Sequence, residues 1–528
     1  MTAGMLYGAM TLLLAATNAL AGTFEVVAQE SGISPYRASF SIAWVDFNGD
    51  DLPDLFVSTH KYKFSEGRYP ALYINLGEGR FVDSAAAVFA ETDLRSDTHT
   101  SGWADYDNDG DQDVIISVGA NLGKGSDPNL LLRNENGQLH AVADSSSPAF
   151  PNSRGRAPLW FDANSDGLLD VLLTSSRTNR KSAGTTLFIQ TESGFEPSPL
   201  ATDLPDLSPA FGAQLHDVTG DGSPDLVIHG TYRFPLSVFD VRDSLREIVD
   251  QLPTIGKLVA HRRDVLDHDS ARDVAYADFD GDLNTDMFAI RASHSPDLYD
   301  AQSSHFGQGL PDIMWLFDPA TGRFVDRSAE SGFGDSTLSR TVVSGDFDND
   351  MDVDLLVSTS SHKRHTGFLL YENTGAGRFV VSDTVVTSHG RHKYIYTLGT
   401  RIATADYDLD GDIDVFACPA TIESGNSPAV LLRNRGNDNH WLEIDLEGVQ
   451  SNRDGIGARV IVDAGGRQQV REQAGGMHLF AQNMPRLHFG LGGNEIVDRI
   501  TVHWPSGIVQ VVTDTRGDRL IRIREAVR

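Results

Sequence analysis

Seven copies of one acidic nonapeptide, each set among β-type runs, predict an all-β fold: a seven-bladed β-propeller followed by a small C-terminal β domain. The copies read DFNGDDLPD at 46–54, DYDNDGDQD at 105–113, DANSDGLLD at 162–170, DVTGDGSPD at 217–225, DFDGDLNTD at 278–286, DFDNDMDVD at 346–354 and DYDLDGDID at 406–414. Their starts lie 59, 57, 55, 61, 68 and 60 residues apart, and self-similarity at a near-fixed period marks a repeat architecture. Each copy separates two apolar-rich runs, with a third run and a Gly-led fourth behind them. Four strands in about 60 residues is the arithmetic of a propeller blade. The 50 glycines and 21 prolines supply the turns such a chain needs.

Taken in order, the first residues resemble an export signal. Leu6 to Ala16 is apolar but shorter than the roughly 20 residues of a membrane span. Ala19-Leu20-Ala21 offers the small side chains of a cleavage site. Residues 1–21 are therefore expected to be removed, giving a secreted or periplasmic protein, although Met1 to Tyr7 lacks the usual Lys or Arg. No later run is apolar for 18 residues, so no membrane span is expected.

Residues 22–436 are then assigned to the propeller. Second strands are expected at Leu55 to Ser58, Val114 to Ser117, Val171 to Thr174, Leu226 to His229, Met287 to Ile290, Leu355 to Ser358 and Val415 to Cys418. Third strands include Leu72 to Asn75 and Phe368 to Tyr371, and fourth strands open at Gly79, Gly137, Gly256, Gly322 and Gly377. The seventh unit has no fourth strand of its own, because 431–434 runs into new sequence. Thr23 to Val27 reads like the other fourth strands, so residues 23–28 should complete the last blade and pair an edge otherwise left open. Residues 437–528 form the second domain, also β: Trp441 to Leu446, Ala458 to Val462 and Ile500 to Trp504 alternate between apolar and polar. Asn452, Arg453 and Asp454 are expected to make a hydrogen-bonded turn rather than a ligand site.

Positions 1, 3, 5 and 9 of each nonapeptide gather hard oxygens around a tight turn. The candidate ligands are Asp46, Asn48, Asp50 and Asp54; Asp105, Asp107, Asp109 and Asp113; Asp162, Asn164, Asp166 and Asp170; Asp217, Thr219, Asp221 and Asp225. The last three loops offer Asp278, Asp280, Asp282 and Asp286; Asp346, Asp348, Asp350 and Asp354; Asp406, Asp408, Asp410 and Asp414. A cation taking six to eight oxygens at about 2.3–2.6 Å fits, so the expected cofactor is Ca2+, up to seven ions, with the position-7 carbonyl as a further ligand. An EF-hand is excluded, since position 12 holds Val57, Ile116, Leu173, Ile228, Ala289, Val357 or Ala417. Zinc would want His or Cys, and magnesium fewer carboxylates and more water. Without metal the same residues would serve as side-chain turns. The fourth loop, with Thr219, is the poorest.

The formal charge of −31 excludes a nucleic-acid partner, which needs a basic face. The single Cys418 excludes an intramolecular disulfide framework. The basic residues are expected on the face away from the acidic loops, where Lys61, Lys63, Lys124, Lys181, Lys363 and Lys393 fall. Six residues before each loop, at the start of the innermost strand, stand Phe40, His99, Arg156, Phe211, Arg272, Arg340 and Thr400, with Arg401 one later. His99, Arg156, Arg272, Arg340 and Arg401 would ring one mouth of the channel and suit a carboxylate, sulfate or phosphate. The alternative is that these arginines bond neighbouring carbonyls and seal the channel.

The Asp loops with their strands resemble the FG-GAP/VCBS repeats of integrin α-subunits and many bacterial exported proteins, over roughly residues 33–434. Asn439-His440-Trp441, SNRDGIGARV at 451–460, HFGLGG at 488–493 and VHWPSG at 502–507 resemble the ASPIC/UnbV domain. The combination is similar to the cartilage acidic protein family and its bacterial relatives. That resemblance implies a secreted calcium-binding protein with no established catalytic mechanism.

The leading expectation is a calcium-stabilised recognition or adhesion protein whose face opposite the loops binds an anionic small molecule, glycan or protein partner, with the tail as a second contact surface. A propeller enzyme (a lyase or tailoring enzyme using the arginine mouth with His392 or Tyr396) and a glycan-binding lectin are the alternatives. An enzyme should show one deep polar pocket, a scaffold a sealed channel.

Overall fold

The computed structural model describes residues 23–27, 30–34, 39, 41–59, 70–90, 92, 94, 98–118, 129–142, 147, 155–175, 185–198, 212–229, 236–241, 246–247, 271–291, 311–333, 339–360, 365–389, 400–419 and 429–527. Among them the only α-helix is the four-residue Ala85–Val88; everything else regular is strand. Seven antiparallel sheets repeat one order, in which an inner strand leads through the acidic loop to a second, third and fourth strand. The inner strands are Ile42–Val45, Thr98–Ala104, Gly155–Phe161, Gly212–His216, Ala271–Ala277, Ser339–Gly345 and Thr400–Ala405. Consecutive sheets touch, and the seventh touches the first. The expected export signal lies outside the described residues.

The seventh sheet borrows its fourth strand from the other end of the chain. Phe24 pairs with Asn434, Glu25 with Arg433 and Val26 with Leu432, as the repeat pattern anticipated. Phe24 buries its ring edge-on against Phe347 of the sixth loop, 5.7 Å between centroids. The fourth strand of the fourth sheet corrects the expectation. It is Arg246–Glu247, paired with Phe239 and Asp240, whereas Gly256 lies outside the described residues. In the third sheet the fourth strand is Gly194–Pro197, where glycine and phenylalanine are adjacent and the Gly-x-Phe spacing is lost.

The core lies in the seams between sheets. At position 2 of the loops, Phe47, Tyr106, Phe279, Phe347 and Tyr407 are all buried. Trp44 stacks on Tyr407 (6.4 Å, 12°) and donates its indole N–H to Ala403 O of the seventh sheet, 3.2 Å away. Trp160 does the same against Tyr106 and Gly102 O of the second sheet. A second contact recurs where the third strand ends in asparagine. Asn75, Asn134, Asn373 and Asn434 each donate through Nδ2 to the position-2 carbonyl of a neighbouring sheet: Tyr407, Phe47, Phe279 and Phe347, at 2.7–2.9 Å. These amides tie the second sheet to the first, the sixth to the fifth, the seventh to the sixth, and the first to the seventh.

The C-terminal residues build two further sheets around a shared apolar core that includes Leu442, Ile444, Val460, Phe489, Ile500 and Trp504. One part of this region is built into the repeats themselves. A hairpin of this region, Met477–His478 with Ala481–Gln482, joins the first sheet by parallel pairing of Ile42 with Ala481 and Ala43 with Gln482. It also contacts the inner strands of the second, fourth, fifth and seventh sheets. The Gln482 amide exchanges two hydrogen bonds with the Trp103 backbone, both 2.9 Å. Asn483 accepts from Thr404 N–H, and Met484 N–H donates to Thr404 O. An inner strand has a free ladder edge on its far side, and leaving such backbone groups unpaired is costly. The hairpin satisfies three of those edges at once.

Candidate metal centre

All seven loops adopt one backbone path, because the same groups fold it. The position-1 carboxylate accepts the N–H groups of positions 5 and 6, as in Asp105 with Asp109 (3.0 Å) and Gly110 (2.8 Å) or Asp406 with Asp410 (3.1 Å) and Gly411 (2.7 Å). The position-5 carboxylate accepts the N–H of position 7, from Leu52 to Asp412. Positions 4 and 6 are left-handed in every copy, including Leu283 (φ 69°), Met351 (φ 81°) and Leu409 (φ 57°), where glycine would be the relaxed choice. Position 9 has a structural duty that the spacing did not reveal. Its carboxylate accepts the N–H of position 2 and, in six loops, a third-strand N–H, as in Asp113 with Tyr106 (3.3 Å) and Asn134 (2.7 Å).

Carboxylate oxygens converge within 4.8 Å of one another in four loops: Asp105, Asp107 and Asp113; Asp278, Asp280 and Asp282; Asp346, Asp348 and Asp354; Asp406, Asp408 and Asp414. Four position-3 oxygens, Oδ1 of Asp107, Asp280 and Asp408 and Oγ1 of Thr219, are buried without a hydrogen-bond partner. An acceptor in that state costs free energy unless a cation meets it. Burial, with the neighbouring carboxylates adding to it, lifts the position-9 groups: Asp113 to about 9, Asp54 to about 8, and Asp354 and Asp414 well above the usual range. Two loops differ. Asn48 donates to Asp50 (3.0 Å) and Asn164 to Asp166 (2.9 Å), so their position-3 amides are satisfied inside the loop. The clustered donor sets are all oxygen and carboxylate-rich, and these residues could hold a metal ion.

The C-terminal sheets lie over these loops. Asp454 accepts Asp105 N–H (2.8 Å) and a Gln112 amide N–H (2.9 Å), while Arg453 N–H donates to Asn108 (2.7 Å). Glu472 accepts Asp217 N–H (3.0 Å) and pairs with His216 (2.8 Å). Arg459 donates to Leu283 O, Arg467 pairs with Asp352, and Arg522 pairs with Asp51 (2.7 Å). His488 Nε2 meets Gly411 O at 2.9 Å. Arginines thus meet the rim of an acidic surface, and the contact area is spent inward. The turn expected at 452–454 is present, with Asn452 bonded to both backbone groups of Ile456, and it carries the loop contacts as well.

The five residues expected at the opposite mouth are placed unequally. His99 and Arg401 are each only 1% exposed, and the Arg401 guanidinium lies 4.5 Å over the Phe480 ring of the hairpin. The side chains of Arg156, Arg272 and Arg340 lie outside the described residues, as do the six lysines. Among the described residues no helix is long and apolar enough to cross a membrane.

The FG-GAP-like repeat family matches residues 105–173 and 346–417, and the family described as ASPIC and UnbV matches 448–528. Cartilage acidic protein 1 of Mus musculus and of Homo sapiens are each 26% identical over 257 residues, covering 46% of this chain. The match spans 34% of those relatives, about a third of their length. Among solved structures, BBS1N in complex with ARL6DN aligns at TM-score 0.40 and 9% identity, over 79% of this chain and 99% of that one. The V. cholerae biofilm matrix protein Bap1 aligns at TM-score 0.32 and 11% identity, over 93% and 76%. From its repeats and its tail together, the chain carries FG-GAP-like repeats followed by a C-terminal ASPIC and UnbV domain.

Proposed function

We propose that residues 22–436 close into a seven-bladed β-propeller, that residues 437–528 dock on its loop face, and that the chain is an exported calcium-binding recognition protein. The observation that carries the metal reading is the set of four carboxylate clusters, three of them holding a buried position-3 oxygen without a partner. Positions 1, 3, 5 and 9 with the position-7 carbonyl would hold the ion, and an all-oxygen, carboxylate-rich set favours Ca2+. When bound, the ion supplies charge neutralisation. Calcium titration calorimetry of the full chain should resolve the four clustered loops as tight sites, with the Asn48 and Asn164 loops weaker. Asp105→Ala with Asp109→Ala should remove about one tight ion. Seven equal sites, or no heat of binding, would overturn the ranking.

Covering of the loop face by the tail leaves the opposite face for a partner. There His99, Arg156, Arg272, Arg340 and Arg401 begin the inner strands, with the hairpin as a floor. A small polyanion or carboxylated partner is the proposed ligand. With citrate and inorganic sulfate as probes, Arg272→Ala plus Arg340→Ala should weaken binding by roughly 2–5 kcal/mol without changing calcium content. Equal binding by wild type and double variant would make the ring purely structural.

A further inference from the structure

The hairpin that fills the centre of the ring carries a single ionisable side chain. Between Glu472 and Arg486 the sequence is QAGGMHLFAQNMP, and His478 stands alone in it. The ring of His478 is buried, with the Asn483 side chain and the Ile402 backbone beside it, yet neither nitrogen reaches a partner within hydrogen-bonding geometry. An imidazolium has two N–H donors and needs two acceptors. The surroundings offer it the wrong charge. Arg401, stacked on Phe480 two residues along the same hairpin, faces His478.

The other inner strands carry Arg156, Arg272, Arg340 and His99, and one carboxylate, Asp273. The oxygens of Asp273 already accept the N–H groups of Val274 (3.1 Å) and Val342 (3.0 Å). At the loop ends of these strands stand His216, held by Glu472, and Tyr276, stacked on His216 at 4.4 Å. The two strands nearest the hairpin's parallel pairing, Ile42–Val45 and Ala481–Gln482, have no ionisable group. A proton added to His478 therefore meets like charge from Arg401 and loss of hydration, which outweigh the help that the Asn483 side chain and the Ile402 backbone give the charged ring.

We propose that the hairpin is an acid-released latch, in which protonation of His478 unseats Met477–Gln482 from the inner strands and exposes Met477, Leu479 and Phe480. Burial, with Arg401 adding to it, lowers the His478 pKa to about 4 from the ordinary 6.5. The unseated hairpin binds the proton more tightly than the seated one. Seating is thus fully favoured above about pH 6.5 and weakens as the pH falls toward about 4.

Hydrogen–deuterium exchange of the full, calcium-loaded chain tests this, reading the 476–487 peptide after correction for intrinsic rates. Between about pH 7 and about pH 4.5 the opening equilibrium of the wild-type hairpin should rise roughly 50-fold, and that of His478→Gln by far less. Acid effects on the loops act on both proteins alike, so the difference isolates the histidine. An unchanged wild-type hairpin, or an equal rise in His478→Gln, overturns the latch. Should the variant not fold, wild type decides by NMR: loss of the Phe480–Arg401 contact signals as the Cε1 proton of His478 titrates supports the latch, and their persistence through that titration overturns it.

Discussion

Chelating calcium should lower the melting temperature of this chain by roughly 10 °C. A site held at about 100 times its dissociation constant adds about 2.7 kcal/mol to the native state, so four clustered loops add on the order of 11 kcal/mol. In a chain this long each kcal/mol moves the melt by about 1 °C. The chemistry behind the number is local. In the Asp105, Asp107 and Asp113 cluster each carboxylate is pushed upward by burial and further by its neighbours, so the bare loop opposes its own folding. Thermal melts in millimolar calcium and in excess chelator read the difference directly. Coincident melts would remove the calcium reading altogether.

Gly490→Ala should destabilise the docked tail by about 2–4 kcal/mol, the cost of forcing atoms into a closed interface. A Cβ there would stand 2.2 Å from Asp346 Oδ2 and 2.5 Å from the Asn349 Cα. Asn349 is poorly able to retreat. It is left-handed, its amide donates to Gly411 O (3.2 Å) and Asp412 (2.9 Å), and its carbonyl accepts Gly492 N–H (2.8 Å). Gly493, three residues along, has open space around it, so Gly493→Ala should stay within about 0.5 kcal/mol of wild type. Chemical denaturation of both variants checks the pair. Similar stabilities would mean that the tail rests on the loops without bearing on the fold.

The repeat was legible because each nonapeptide must turn the chain in the same way, and the acidic positions that do so cannot drift. The strands behind it followed from alternation, down to the pairing of Phe24 with Asn434. Less was legible wherever one residue answers to a distant segment. Asn75, Asn134, Asn373 and Asn434 stand at strand ends as plainly as the aspartates stand in loops, yet an amide that reaches a neighbouring sheet looks like any turn residue. Their recurrence at one place in the unit was the usable signal. The hairpin at 477–482 gave less still. Its glycines mark a turn or a close backbone approach and no more, because nothing in a local pattern announces that five inner strands will close around it. The mouth residues show the same limit: spacing aligned Arg401 with its counterparts but could not foresee that Phe480 would meet it from below.

The exchange of a strand between the two ends of the repeats sets an order on biosynthesis. Phe24 waits for Asn434, so the seventh sheet cannot be completed while the last repeat is still being made. Early sheets can assemble locally, each from about 60 neighbouring residues, but closure is a contact across nearly the whole chain. Such non-local pairing is slow and leaves edges open to wrong partners in the meantime. A nascent chain of this kind is most vulnerable just before residues 430–434 emerge, when six sheets are formed and the seventh still lacks its outer strand.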